Sequence, residues 1–236
     1  MERIILIETS TALCSTALAE NGEITSYRES SAPKAHASLT AVFIEEMLAE
    51  RGLSLSDCDA VCVSMGPGSY TGLRVGVSTA KGLCFGSGLP LIAVGTLDTL
   101  TAQALAGDPG QTEDLKYIIP MVDARRMEVY TATFARTPGE ATFAQTTETA
   151  PAIIDENSFA DLLEEGPCLF IGDGAGKCAD VIKHPNARFQ QCNHMASAML
   201  SPALDAYKEK RFEDVAYFEP FYLKEFVATV SKKKMW

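Results

Sequence analysis

The chain has few of the residues on which metal and nucleic-acid chemistry depend. Its 236 residues include only three histidines, and none of them pair at the H-x-x-x-H or H-E-x-x-H spacing of a metal site. Lysine and arginine number 20 against 31 aspartates and glutamates, which gives a net charge of −11. Phosphate backbones are bound by clustered cations, and the one short basic cluster is residues 232–234. This balance argues against tight, direct binding of nucleic acid by the chain alone.

Long hydrophobic runs are also missing. The first apolar segment, residues 4–7, stops at Glu8, and no segment reaches the roughly 20 apolar residues that a membrane helix needs. The seven cysteines form no C-x-x-C pair, so without an export signal they are expected to be reduced thiols in the core. We therefore expect a cytoplasmic protein that does not enter a membrane.

What the sequence does contain is typical of a globular α/β protein, with 47% hydrophobic and 22% charged residues. Short apolar runs predict strands at residues 4–7, 15–19, 24–27, 60–65 and 89–94. Helical spacing covers residues 36–51, 71–85 and 96–105. The resulting order, β-β-β-α-β-α-β-α, predicts a mixed sheet with an antiparallel edge and right-handed crossovers.

A turn-rich stretch at residues 107–112 is the best internal boundary. We expect a first unit over residues 1–106, a second over residues 107–200, and a helical segment and tail over residues 201–236 that pack back on the first unit. In the second unit, strands are predicted at residues 117–122, 128–134 and 168–171, and helices at residues 158–165, 176–183 and 195–212. Pro202 is expected to start a new helix in the last of these or to kink it.

The densest glycine pattern covers residues 66–76, between a predicted strand and a predicted helix. It is neither a Walker loop nor a G-x-G-x-x-G fingerprint. A tight turn followed by a closely packed helix is favoured over an anion-binding loop. Glycine inside a helix costs about 1 kcal/mol against alanine, so Gly72, Gly76 and Ala80 suggest close approach of another helix. That helix could belong to a partner or be the first helix of the same chain.

Two other polar motifs are weaker. The glycine loop at residues 172–176 follows a predicted strand, but no Ser or Thr follows Lys177, which favours a structural turn over a nucleotide loop. Asp123, at the end of a strand, is followed by Arg125 and Arg126. This group is either a catalytic strand-end acid or an ordinary hairpin turn. No G-x-S-x-G elbow is present.

Several of these segments resemble the TsaB family, also called YeaZ. The matching segments are residues 7–10, 66–74, 94–97, 122–125 and 219–224. The resemblance spans nearly the whole chain and is loose between residues 137 and 215. It implies an α/β, actin-like (ASKHA) fold with two similar subdomains, each with a mixed β-sheet flanked by helices.

The resemblance also implies a function. It points to a non-catalytic partner, or scaffold, of a TsaD-like enzyme in N6-threonylcarbamoylation of adenosine 37 in tRNAs that read codons beginning with A. The related TsaD proteins hold a metal with an H-x-x-x-H motif after the strand that corresponds to residues 89–94. Residues 94–100 contain no histidine here. We therefore expect no catalytic residue and no metal site in this chain.

An alternative remains, an ATP-hydrolysing ASKHA enzyme or a metallopeptidase-like (glycoprotease) protein. Actin-like ATPases use acidic residues of the first hairpin to place magnesium, a role that Glu8 could fill. The residues that would form vestigial nucleotide loops are Glu8, Thr9, Ser10, Gly172, Gly174 and Gly176. We expect no cofactor, with weak ATP or ADP binding as the alternative outcome.

The expected partners follow from the same resemblance. A TsaD-like protein should bind directly, a TsaE-like ATPase through the complex, and tRNA only indirectly, while the isolated chain self-associates as a homodimer. The first two helices are expected to form the contact surface. The residues predicted to line it are Leu39, Phe43, Met47, Gly72, Arg74, Gly76, Ala80 and Cys84.

Overall fold

Two mixed β-sheets, one in each half of the chain, organise the molecule. The computed structural model describes residues 2–107 and 109–224. The first sheet contains β1 (Arg3–Glu8), β2 (Cys14–Glu20), β3 (Glu23–Ser30), β4 (Ala60–Gly66) and β5 (Leu91–Gly95). Its strand order is β3-β2-β1-β4-β5, with β1, β4 and β5 parallel and the first hairpins antiparallel.

The second sheet repeats this plan. It contains β6 (Tyr117–Asp123), β7 (Glu128–Thr131), β8 (Phe134–Arg136), β9 (Phe143–Gln145), β10 (Ala150–Ile153), β11 (Cys168–Gly172) and β12 (Ala187–Gln191). The main order is β10-β7-β6-β11-β12, and β8 pairs with β6 and with β9. Counted from its own first strand, this is the order of the first sheet, with the same parallel and antiparallel pairs. The predicted duplication of an α/β unit, as in the actin-like fold, is confirmed.

Helices cover both faces of the sheets. They are α1 (Ala35–Glu50), α2 (Tyr70–Ser87), α3 (Thr96–Leu105), α4 (Pro109–Thr112), α5 (Ala160–Glu165), α6 (Ala175–Ala179) and α7 (Leu200–Lys208). α1 and α2 pack on one face of the first sheet, where Ile5 and Ile7 are buried. α7 and the 3-10 turn before it pack on the other face, on Ile4 and Leu6. The alternation along β1 follows the period of two of a strand that is buried on both faces.

The remaining helices serve the second sheet. Leu97 and Leu100 of α3 pack against Ile118 and Ile171 of that sheet, so α3 ties the two halves together. α5 and α6 cover its opposite face around Phe170. All seven cysteines are free and six are buried, as the sequence predicted. Over the described residues, no helix has both the length and the apolar character needed to cross a membrane.

The observed elements differ from the predicted ones mainly in the second half. The strand expected at residues 128–134 is divided into β7 and β8, and β9, β10 and β12 were not predicted. Part of the turn-rich stretch at residues 107–112 forms α4. Pro202 lies in the first turn of α7, so it accompanies a new helix as expected. The boundaries proposed at residues 106 and 200 stay predictions.

Candidate functional site: two cleft loops and the outer face of α1 and α2

The β1–β2 loop is buried. Glu8, Thr9 and Ser10 have no exposed surface. The Ser10 backbone N–H donates to Oε1 of Glu8 at 2.6 Å, whereas Oε2 of Glu8 has no hydrogen-bond partner among the described residues. A carboxylate in this environment is held by its own loop and closed off from solvent.

The glycine-rich segment that follows β4 seals this loop. The backbone N–H of Ser69 donates to the Ser10 carbonyl at 2.6 Å, and the Ser69 hydroxyl caps α2 by accepting from the N–H of Gly72 at 3.3 Å. A Cβ atom on Gly68, Gly72 or Gly76 would lie well under 3.0 Å from atoms of Ser10 or Thr9. The glycines therefore allow close packing against the chain's own first loop, which confirms the structural interpretation of this motif.

Five of the eight residues predicted to line the partner surface lie inside this packing. All five are buried, and they are Met47, Gly72, Gly76, Ala80 and Cys84. Met47, Ala80 and Cys84 pack in the core between α1, α2 and the first sheet, whereas Gly72 and Gly76 lie against Thr9 of the β1–β2 loop. The prediction that these five residues present a surface is therefore wrong, because the small side chains face inward. Leu39 and Phe43 are half-buried, and Arg74 is exposed.

The outward side of the same two helices has a different character. Phe85 is 88% exposed and Val42 is 40% exposed. Gly82 and Gly86 have open space where a Cβ atom would stand. We define the outer face of α1 and α2 by its exposed and half-buried residues, which are Leu39, Val42, Phe43, Arg74, Val75, Ser78, Gly82, Phe85 and Gly86. Large exposed hydrophobic groups on such a face are typical of protein-binding surfaces.

The second glycine loop is filled by the chain itself. The Gly176 N–H donates to Oε1 of Gln191 at 2.6 Å, and Nε2 of Gln191 donates to the Asp173 carbonyl at 2.9 Å. The N–H of Gly174 donates to the Met121 carbonyl at 2.9 Å. Gly172 adopts φ +130°, and a Cβ there would meet the Met121 carbonyl. The backbone N–H groups of Gly174 and Gly176 are thus already bonded, which supports the structural turn.

The Asp123 motif behaves as a hairpin turn. Oδ1 of Asp123 accepts from the Arg125 N–H at 2.8 Å and pairs with the ammonium of Lys177. Arg125 and Arg126 adopt φ values of 71° and 50°, and both are exposed. The carboxylate therefore stabilises the β6–β7 turn and pairs with Lys177.

His194 joins the two loops and was not predicted to do so. It is fully buried, with Nδ1 3.4 Å from the Ser10 hydroxyl and Nε2 3.4 Å from Oδ1 of Asp173. Burial acts to raise the pKa of Asp173, but the nearby His194 ring and the hydrogen bond from the Asp123 N–H together outweigh it and the pKa is lowered. A single histidine in a loop has no sequence pattern that reveals such a contact. Among the described residues, no group of three or more His, Cys, Asp or Glu side chains could hold a metal ion.

Comparison with known proteins places this geometry in a family. A family model described as "TsaD: tRNA N6-adenosine threonylcarbamoyltransferase" matches residues 29–225. The TsaB protein of Escherichia coli is 32% identical over 231 residues, 96% of each chain, and TsaB of Haemophilus influenzae is 39% identical over 142 residues, 60% of this chain and 58% of that one. Among solved structures, YeaZ from Pseudomonas aeruginosa shares the fold, with a TM-score of 0.80 and 24% identity over 94% of this chain and all of that one. The chain belongs to the TsaB (YeaZ) family, within the wider family that the transferase model describes.

Proposed function

We propose that this chain is a non-catalytic partner of a TsaD-like enzyme in N6-threonylcarbamoylation of adenosine 37 in tRNAs that read codons beginning with A. Its relatives of similar length are named for tRNA threonylcarbamoyladenosine biosynthesis. The matching family model is named for the transferase of that modification. In this proposal the chain contributes a binding surface, and the chemistry takes place on the partner.

The exposed ring of Phe85 is the observation that carries the proposal. An aromatic side chain that is 88% exposed on a long helix gains most of its burial energy only when another protein covers it. Val42 lies on the neighbouring helix, and Gly82 and Gly86 leave the α2 backbone open to close approach. Small residues beside a large one suit helix-on-helix packing.

The start of α3 supports a non-catalytic role. The resemblance to TsaD puts that enzyme's metal-binding histidines at this helix, yet Thr96 instead shares a buried hydrogen bond of 3.0 Å with the Ser64 hydroxyl. Leu97 and Leu100 point into the core with the second sheet. The start of α3 is therefore part of the core. Its hydroxyl and aliphatic side chains are poor ligands for a transition metal.

The ATPase alternative has less support. Glu8 is sealed under the glycine loop, and the Gly176 N–H is already bonded to Gln191. We therefore propose that the chain works without a nucleotide. We also propose that the outer face of α1 and α2 mediates self-association when no partner is present. A TsaE-like ATPase and tRNA would reach the chain through the complex.

Binding to the TsaD-like protein of the same organism tests the proposal. Phe85→Glu should raise the dissociation constant measured by titration calorimetry by about 100-fold or more, because it places a charge in the interface in place of a buried ring. Ile153→Glu is the matched control, since Ile153 is 77% exposed on the second sheet. In a modification assay with the TsaD-like and TsaE-like proteins, tRNA modification should require this chain. Phe85→Glu should lower its rate, whereas Ile153→Glu should not. Equal binding by both variants, or no binding by the wild type, would refute the proposal.

A further inference from the structure

A groove of about 590 Å³ lies between α2 and the segment that follows residue 217. Tyr70 of α2 and Tyr222 of that segment meet across the groove, with ring centroids 4.7 Å apart. Val77 lies below, and Phe218 and Pro220 complete the apolar lining. The groove adjoins the outer face of α1 and α2, because Arg74 and Ser78 belong to both.

Arg74 is the cation of this groove. Its guanidinium lies 5.4 Å from the centre of the Tyr70 ring, and Nη1 donates to the Tyr70 hydroxyl at 3.2 Å. Within residues 2–107 and 109–224, no carboxylate lies within ion-pair distance of Arg74, although the chain carries a net charge of −11. Among the described residues, only Tyr70 contacts the guanidinium in this way, so most of its N–H donors have no partner there.

The segment that follows residue 217 is held in place by hydrogen bonds within the chain. The ammonium of Lys81 donates to the carbonyls of Ala216 at 3.2 Å and Phe218 at 2.9 Å. The Phe221 N–H donates to the Met65 carbonyl at 2.8 Å, which holds the segment against the first sheet. The groove is therefore preorganised, and a ligand does not have to order it.

The charges in the groove indicate its ligand. Arg74 and Lys81 are positive and Glu219 is negative, so the lining has a formal charge of +1. A lining of this charge matches one carboxylate, whereas a nucleotide or an RNA backbone would bring several negative charges near Glu219 and an acidic chain. Arginine forms bidentate hydrogen bonds with a carboxylate, and the two tyrosine rings suit the methylene groups of an Asp or Glu side chain.

We propose that this groove binds one carboxylate side chain of the protein that docks on the outer face of α1 and α2. This inference rests on the proposed function. Arg74 then fixes the orientation of the partner, with Tyr70 holding the guanidinium in place. Phe85 supplies burial energy at the other end of the same helix, so the two contacts together define how the partner lies along α2.

Calorimetric titration of the TsaD-like protein tests the groove. Arg74→Gln should weaken binding by about tenfold to 100-fold, and Arg74→Lys by a smaller factor, because lysine keeps the charge and loses the bidentate geometry. The wild-type dissociation constant should rise with added salt more steeply than that of Arg74→Gln. Arg126→Gln is the matched control, since Arg126 is also exposed but lies on the β6–β7 turn. Its binding should equal that of the wild type.

A charge exchange identifies the carboxylate. Arg74→Glu should abolish binding, and a partner variant in which one surface Asp or Glu is changed to Arg should restore it. If Arg74→Gln bound with wild-type affinity while Phe85→Glu remained defective, the groove would not bind a carboxylate of the partner, and the proposed function would stand. Failure of the wild type to bind would instead overturn the proposed function. Weaker tRNA binding by the Arg74→Gln complex, with unchanged affinity for the protein partner, would also overturn this inference in favour of RNA.

Discussion

The inner and outer sides of α2 use glycine for opposite purposes. On the inner side, Gly72 and Gly76 have no room for a methyl group, because the Thr9 loop lies against them. On the outer side, Gly82 and Gly86 have open space at the same position. The same residue type thus serves the chain's own packing in one case and leaves a bare helix backbone in the other.

This contrast shows why a stripe of small residues does not by itself identify a partner surface. Gly72, Gly76 and Ala80 recur at helical spacing, a pattern equally consistent with an internal neighbour and an external one. The internal neighbour of Gly72 and Gly76 is a loop rather than a helix, and periodicity carries no information about a loop. The residues that face outward, such as Phe85, can be identified only when the structure shows which residues of α2 face inward.

The largest effect is expected on the inner side. Gly72→Leu should destabilise the fold by about 3 kcal/mol or more, because its Cβ would overlap the Thr9 backbone carbonyl and the rest of the side chain would have no space. Urea unfolding followed by circular dichroism measures this change. A Gly72→Leu protein with wild-type stability would show that the loop can move away, and the assignment of the inner side would be wrong.

A second substitution moves the same leucine to the outer side. Gly82→Leu should leave the free energy of unfolding unchanged or slightly raised, because its side chain enters solvent and leucine is a better helix former. It should weaken binding of the TsaD-like protein by about tenfold, since a bulky group prevents close helix approach. Calorimetry and urea unfolding together separate the two effects. If Gly82→Leu lost stability and kept its affinity for the TsaD-like protein, Gly82 would belong to the internal packing and not to the binding surface.

The first half of the fold is largely predictable because its central strands, β1 and β4, are buried on both faces. Residues 4–7 and 60–65 are continuous apolar runs, and the helix at residues 96–105 was located with its observed ends. The missed strands are edge or peripheral ones. β10 contains Pro151 and an exposed Ile153, and β12 is half exposed, so neither carries a clear period of two.

The site was less predictable because it depends on contacts between distant segments. Arg74 could be named from the motif, but its groove needs Tyr222, which is far along the chain. Ser10 and His194 are 184 positions apart. Neither contact has a local signal, since each follows from packing the second half and the C-terminal segment against the first sheet. The basic residues 232–234 lie outside the described residues.

The contact between Asp173 and the buried His194 should make the free energy of unfolding depend on pH, by about 1 kcal/mol. The pKa of Asp173 is lowered in the folded state despite burial, through His194 and the Asp123 N–H. Its carboxylate therefore adds stability above its unfolded pKa of about 3.9, and this is lost as pH falls through the lower folded value. Asp173→Asn should be less stable than the wild type at about pH 5.5, with the difference shrinking on acidification to about pH 3.

Urea unfolding of both proteins across that range provides the measurement. Asp155→Asn is a control on an exposed carboxylate of the second half. A difference between wild type and Asp173→Asn that stays constant down to about pH 3 would mean that the carboxylate contributes by shape alone, without a lowered pKa.

The smallest substitution adds a single methyl group on each of the two sides of α2. Gly82→Ala should stabilise the chain by roughly 0.5–1 kcal/mol, because alanine is the better helix former and its methyl group meets nothing within 4 Å. Gly76→Ala has the same gain in helix propensity but brings its methyl group into the Thr9 hydroxyl, so it should destabilise the chain by about 1–3 kcal/mol. Thermal and urea unfolding should therefore show opposite changes in stability for the same substitution at the two positions. If both variants were more stable than the wild type, the Thr9 side chain would have to move aside at little cost. The tight packing inferred for the inner side of α2 would then be wrong.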